Sequence, residues 1–207
     1  MGRWWVVLVA CLVVGPAAAG RARELQRFEF TPFYGYHFGG GLEDSETGEE
    51  FDIGDSACYG GLLDIRLTET KQLELYFSRQ ETELESEHGL FAGETLFDLD
   101  IDYVHVGGTY VLHDDWWQPF VVGTLGATHI DPDASGSDSL TRFSIGIGGG
   151  VRLFPTEHFG IYVAGRGLFT FIGSDVYFRS ADGETTLKIN SDGLWQAELQ
   201  AGVIFAF

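Results

Sequence analysis

Hydrophobic and polar residues alternate along most of the chain after residue 27, which is the pattern of β-strands that have one apolar face. In the first such segment, from Phe28 to Phe38, aromatic side chains occupy almost every second position. Six further segments alternate in a similar way, and they cover 57–67, 72–78, 97–112, 142–153, 161–171 and 195–207. A seventh, 118–130, is glycine-rich, and which of its faces is apolar is ambiguous. We therefore predict eight strands, most of them long enough to cross a bilayer at a tilt, which takes about 9–11 residues.

The segment 97–112 changes phase within its length. Leu99 and Ile101 mark the apolar face at its start, whereas Val104 and Val106 mark the apolar face farther along. We expect either a β-bulge near Asp102 or a strand that extends well beyond a membrane.

The connections between the predicted strands alternate strictly between short and long. The short ones are 68–70, 114–117 and 155–158, and the long ones are 39–56, 83–96, 131–141 and 173–192. This alternation is typical of an up-and-down meander that has turns at one end and loops at the other. The predicted fold is all-β, an eight-stranded antiparallel up-and-down transmembrane β-barrel.

The strand faces opposite the apolar ones carry a balanced set of four acids and four arginines. These are Glu29, Asp64, Arg66, Glu74, Arg142, Arg152, Arg166 and Glu198. A soluble barrel would turn its apolar faces inward, whereas here the balanced charges favour an enclosed network in which each charge is paired. We predict that these side chains fill the interior of a narrow membrane barrel.

Aromatic residues lie at the ends of the apolar faces, where the interfaces of a bilayer are expected. They are Phe28, Phe38, Tyr59, Tyr110, Phe154, Phe171 and Phe207, with Trp116 and Trp117 in a short turn.

Residues 1–19 have the composition of a secretory signal peptide. Arg3 precedes an apolar run, and Ala17, Ala18 and Ala19 form a small-residue cleavage site. We predict cleavage after Ala19, a barrel domain at 20–207 and export to the outer membrane, with a lipid anchor at Cys11 as the alternative. Cys58 would then be the single thiol of the mature chain, which excludes an internal disulfide and suits a buried position.

The chain is strongly acidic, with 31 acidic and 12 basic side chains among 207 residues and a formal net charge of −19. This balance excludes a nucleic-acid partner, because a surface that binds phosphates needs positive charge. The four long connections hold 18 of the acidic residues. We expect them to form a solvated rim outside the cell, with divalent cations shared with lipopolysaccharide phosphates as an alternative.

No cofactor or dedicated metal site is predicted. The acidic stretch 131–138 lacks the spacing and the closing glutamate of an EF-hand, which argues against a defined calcium site there.

The stretch TPFYGYHFGG at 31–40, the glycine-rich central strands and the closing GVIFAF at 202–207 resemble the small outer-membrane β-barrels of Gram-negative bacteria, of the OmpA/OmpX/OmpW type. The resemblance covers essentially all of residues 25–207. It implies that Val203, Phe205 and Phe207 form a signal read by the outer-membrane assembly machinery. We expect a monomer surrounded by outer-membrane lipids and lipopolysaccharide.

Three functions are compatible with the sequence. The first is a non-enzymatic barrel with a structural or surface-interaction role and a filled interior, and the second is a narrow channel that prefers cations. The third is a hydrolase that uses His129 and Asp131, two residues that share a strand face. His105 is expected in the barrel wall, and we predict no catalytic residues.

Overall fold

The computed structural model describes residues 28–43, 50–86, 95–112, 116–132, 139–172, 176–179, 186–189 and 193–207. The predicted signal peptide, Cys11, His88, His113 and parts of all four long connections lie outside the described residues. The strands are β1 (Phe28–Phe38), β2 (Gly41–Glu43), β3 (Glu50–Ile53), β4 (Ser56–Arg66), β5 (Lys71–Ser86), β6 (Thr95–Val111), β7 (Trp117–Pro132), β8 (Leu140–Leu153), β9 (Phe159–Thr170), β10 (Val176–Arg179), β11 (Thr186–Ile189) and β12 (Leu194–Ala206). Within these ranges, no helix is long and apolar enough to span a membrane.

Eight of these strands form a closed antiparallel barrel. The order is β1–β4–β5–β6–β7–β8–β9–β12, and β12 pairs with β1 to close the ring. Closure pairs the backbone groups of every barrel strand with a neighbour, which is the condition for crossing a bilayer with strands. The predicted eight-stranded antiparallel barrel is confirmed.

Four short strands lie outside the eight. β2 and β3 form a hairpin, and β3 continues the sheet by pairing with the distal end of β5. β10 and β11 pair with each other in a separate two-stranded sheet. All four fall within the two long connections 39–56 and 173–192, so we call this side of the barrel the long-loop end and the opposite side the short-turn end.

The apolar faces of the strands point outward. Ile147, in the middle of β8, is 68% exposed, and large apolar side chains are exposed on all eight barrel strands. Phe154 departs from the predicted aromatic girdle, because it packs partly against the buried cluster and lies 5.4 Å below the Arg152 guanidinium. Its position two residues after Arg152 places it on the inward face.

The phase change in β6 is not a bulge. The pairing of β6 with β5 and with β7 runs in unbroken register through Asp102, and the one register shift in the first pairing lies at Leu84 and Glu85. Leu99 and Ile101 point inward and are buried, while Asp102 faces outward and is partly exposed. The alternative expectation, a long strand, is the one that the structure shows: β6 has 17 residues, against 11 in β1.

Buried apolar side chains lie among the polar ones along the lumen. At the long-loop end they are Ile53, Leu99, Ile101, Ile130, Ile172 and Leu194. Farther down, two glycines give large interior side chains their space. A Cβ atom on Gly60 would lie 2.7 Å from Phe33 Cζ, and one on Gly148 would lie 2.9 Å from Arg166 Cγ.

Candidate functional site: the charged interior

The short-turn end of the lumen is organised around the carboxylate of Glu29, on β1. Arg152 donates to it from β8, and Arg66 Nη2 lies 3.7 Å from its other oxygen. Arg152 also donates to Gln72 Oε1 at 2.5 Å. One buried carboxylate therefore meets two guanidinium groups, an arrangement that offsets the cost of removing these charges from water.

The middle of the lumen is organised around Arg166, on β9. Its Nη2 donates to Glu74 Oε1 at 2.7 Å and to the Tyr162 hydroxyl at 3.3 Å. Thr109 donates to the second oxygen of Glu74 at 3.0 Å, and Asp64 is the cross-strand neighbour of Glu74. These contacts connect β5 and β9, which lie on opposite sides of the eight-stranded ring.

The next level is organised around Glu198, on β12. Its carboxylate accepts hydrogen bonds from Tyr76 at 2.5 Å, from Ser78 at 3.2 Å and from Gln200 at 2.9 Å. Arg166 lies 4.5 Å over the Tyr76 ring, so a cation–π contact links this level to the one below. The polar contacts thus run through the lumen without a break between these two levels.

The structure places seven of the eight predicted interior charges within these levels. Arg142 is the exception, because it lies near the long-loop end, where its Nε donates to the carbonyl oxygen of Ile172 at 2.8 Å and its Nη1 to that of Thr141 at 3.3 Å. Its position near the start of β8 places it closer to the long-loop end than the other charges.

His105 lies on β6, a strand of the barrel wall, and its side chain points into the lumen. It is a buried lumen residue with both ring nitrogens engaged, Nδ1 at 3.0 Å from Thr124 Oγ1 and Nε2 at 2.8 Å from Ser144 Oγ. Neutral residues that the charge pattern did not single out also bridge the lumen, such as Tyr103, which donates to Gln196 at 2.5 Å. The period-two alternation already placed these residues inward, but it could not show which of them meet.

The outer wall near the long-loop end carries a second group of charges, on β5, β6 and β7. Arg79 donates to Asp100 and lies 3.7 Å from Asp102. We call Asp100, Asp102 and Asp131 the outer acidic patch.

The candidate pair His129 and Asp131 lies on this same outer wall. His129 Nδ1 lies 2.9 Å from Thr141 Oγ1 on β8, and Asp131 is exposed. This position is on the outside of the barrel, away from the enclosed polar groups.

The C-terminal residues close the barrel. The backbone nitrogen of Phe207 donates to Phe28 at 2.8 Å, and Phe205 pairs in register with Phe30 on β1 and Phe159 on β9. Val203 and Phe207 are exposed on the outer surface.

A closed eight-stranded antiparallel barrel with an apolar exterior and a charged interior is the architecture of the small outer-membrane β-barrels. The chain therefore has the fold of the small outer-membrane β-barrels.

Comparisons with known proteins give the same architecture. No protein-family model matches the chain, and no curated protein matches it in sequence. The outer membrane protein AlkL, solved in lipid bilayers, is similar in structure with a TM-score of 0.67 at 12% identity, covering 93% of this chain and 95% of that one. Neisserial surface protein A is similar with a TM-score of 0.60 at 15% identity, and the match covers 87% of this chain and 97% of that one. OprG from Pseudomonas aeruginosa is similar with a TM-score of 0.60 at 13% identity, and the match covers 88% of this chain and 96% of that one. At these identities the likeness shows the fold.

Proposed function

We propose that the chain is a monomeric, non-enzymatic barrel whose interior is filled and whose role is carried by its outer surface. The supporting observation is that hydrogen bonds cross the lumen at successive levels. Arg152 donates to Glu29, Arg166 donates to Glu74, and Tyr103 donates to Gln196. A hydrolase that uses His129 is less well supported, because its ring lies on the outer wall against Thr141.

The experiment that tests a filled interior is a conductance measurement in planar bilayers. We expect folded wild-type protein to give no stable current steps, because ions would have to displace several paired groups in sequence. Migration on unheated gels, which differs between folded and unfolded barrels, confirms that silent protein is folded. Stable cation-selective steps would instead support the narrow channel.

We propose that the long-loop end faces the outside of the cell and that the outer acidic patch contacts lipopolysaccharide through divalent cations. The patch lies directly beyond the lipid-facing Phe77, Val104 and Leu125 on the same strands. Carboxylates at that height can share cations with headgroup phosphates, since hard divalent ions prefer oxygen ligands.

This proposal predicts calcium-dependent binding to lipopolysaccharide. Replacing Asp102 and Asp131 together by asparagine is expected to weaken that binding by about 0.2–1 kcal/mol per lost contact. Binding is measured on nanodiscs that contain lipopolysaccharide, with calcium and then with EDTA. Glu69→Gln, an acid in the short turn that follows β4, is the matched control. Equal binding by the double variant and the wild type would contradict the proposal.

We propose that Val203, Phe205 and Phe207 are read by the assembly machinery. Phe207→Ala is expected to lower the folded fraction in the outer membrane of cells while leaving refolding of the purified chain in detergent unchanged. Both are measured by the migration of unheated samples on gels, and Phe159→Ala, another outward aromatic residue, is the control. A loss of refolding in detergent as well would assign Phe207 to the stability of the barrel.

A further inference from the structure

Three side chains of different chemistry meet inside the lumen, in its half nearer the long-loop end. They are His37 on β1, Cys58 on β4 and Glu198 on β12, and all three are buried. Cys58 Sγ lies 3.2 Å from Glu198 Oε1, and His37 Nε2 lies 3.4 Å from Glu198 Oε2. One donor atom from each residue lies within 4.8 Å of the other two. We call these three residues the lumen triad.

Gln80 determines which ring nitrogen of His37 faces the triad. The Gln80 amide nitrogen donates to Ser56 Oγ at 2.9 Å, so the amide oxygen is the atom that lies 2.7 Å from His37 Nδ1. Nδ1 therefore carries a proton and donates it to Gln80, which leaves Nε2 as the ring atom that faces the triad. Histidines that bind metal ions are oriented in this way, by a partner on the other nitrogen.

His37 Nε2 is placed to share a cation with Glu198. This atom is buried and makes no hydrogen bond of good geometry within the described ranges. It lies 3.4 Å from Glu198 Oε2, and two such atoms need a cation between them, either a proton, as in a histidine–carboxylate ion pair, or a metal ion.

The spacing of the donor atoms is close to that of a tetrahedral metal centre. Bonds of zinc to sulfur, nitrogen and oxygen place neighbouring ligand atoms about 3.3–3.6 Å apart. The Nε2–Oε2 separation of 3.4 Å lies within this range, the Sγ–Oε1 separation of 3.2 Å is just below it, and all three donor atoms lie within 4.8 Å of one another. The hydroxyls of Tyr76 and Ser78 and the Gln200 amide hold the Glu198 carboxylate from the outside, which is the role of an outer shell.

We propose that the lumen triad binds a divalent transition-metal ion of the zinc class, a function separate from whether the lumen conducts. Cys58 would bind as the thiolate, releasing its proton to solvent, while His37 binds through Nε2 and Glu198 through a carboxylate oxygen. Sulfur and nitrogen ligands select zinc over calcium and magnesium. The two anionic ligands neutralise the ion, and the fourth position stays open to water. No dedicated metal site is predicted from the sequence, because the three residues come from separate strands without a spacing motif.

The test uses cobalt(II) as a spectroscopic probe of the purified barrel. Protein refolded from urea after EDTA treatment is titrated with Co²⁺, and a thiolate–cobalt charge-transfer band is expected to saturate at about one ion per chain. Zn²⁺ added afterwards is expected to abolish the band by displacement. Cys58→Ser is expected to lose the band, and His37→Gln to weaken binding at least about 10-fold.

His105→Gln is the matched control, since His105 is another buried lumen histidine whose two nitrogens are already hydrogen-bonded. It is expected to bind Co²⁺ like the wild type. A second measurement needs no variant. Zn²⁺ is expected to slow the alkylation of Cys58, which is monitored by mass spectrometry of the peptide that contains it. A titration without a thiolate band, or alkylation that Zn²⁺ leaves unchanged, would overturn the proposal and leave His37 and Glu198 as a proton-sharing pair.

Discussion

Arg166→Ala is expected to lower the free energy of unfolding by about 3–5 kcal/mol, because it leaves a buried carboxylate without its cation. Arg166 supplies the guanidinium that Glu74 contacts at 2.7 Å, and both side chains are almost fully enclosed. The measurement is urea unfolding of the protein in lipid vesicles, followed by tryptophan fluorescence. The same variant is expected to admit ions in planar bilayers if Arg166 helps to fill the lumen.

Two further variants separate the charge from the packing of Arg166. Arg142→Ala removes an arginine that is partly exposed and donates to backbone carbonyls, and it is expected to cost about 1 kcal/mol. Combining Arg166→Met with Glu74→Gln removes both charges and is expected to restore much of the lost stability. An Arg166→Ala variant as stable as Arg142→Ala would show that the central ion pair does not hold the lumen together.

Ile147→Arg is expected to destabilise the barrel by about 2–4 kcal/mol, because it places a charge in the middle of the lipid-facing wall. Ile147 lies at the centre of β8, is 68% exposed and has glycines as its cross-strand neighbours, Gly123 and Gly167. The measurement is again unfolding in lipid vesicles. Ile147→Ala separates the loss of the apolar side chain from the effect of the charge.

Depth in the membrane provides the control for this prediction. Phe159→Arg changes an equally outward residue at the start of β9, near the bilayer interface, where the cost is about 0–1 kcal/mol. Equal costs at Ile147 and Phe159 would contradict the position of the bilayer along the strands.

The strand pattern was predictable because period-two alternation reports a local property of the chain. Each strand has one side facing lipid and one facing side chains, so Phe28 to Phe38 could be divided into two faces without knowing any partner strand. The phase change in 97–112 was ambiguous for a related reason. At the start of β6, near the long-loop end, the inward Leu99 and Ile101 are apolar and the outward Asp102 is polar, so hydropathy inverts while the backbone continues regularly.

The contacts between side chains inside the lumen were not predictable, because they depend on the register of strands that are distant in the chain. Cys58 and Glu198 are separated by 140 positions and meet because β4 and β12 both pair with β1. Charge balance identified most members of the network. It could not reveal Tyr76, Gln80 or His37, whose contributions come from neutral hydrogen bonds and ring contacts.

The unequal strand lengths give the barrel a tall side and a low side. β5, β6 and β7 have 16, 17 and 16 residues, whereas β1, β9 and β12 have 11, 12 and 13. Neighbouring molecules in the membrane plane therefore contact a different surface of the barrel on its tall side than on its low side. On the tall side the strands continue into a charged outer wall that holds Arg79 and Asp100, whereas on the low side they end near outward aromatic residues such as Phe38 and Trp195. The outer surface of the barrel therefore differs from side to side, so that a partner in the same membrane plane would bind from one direction only.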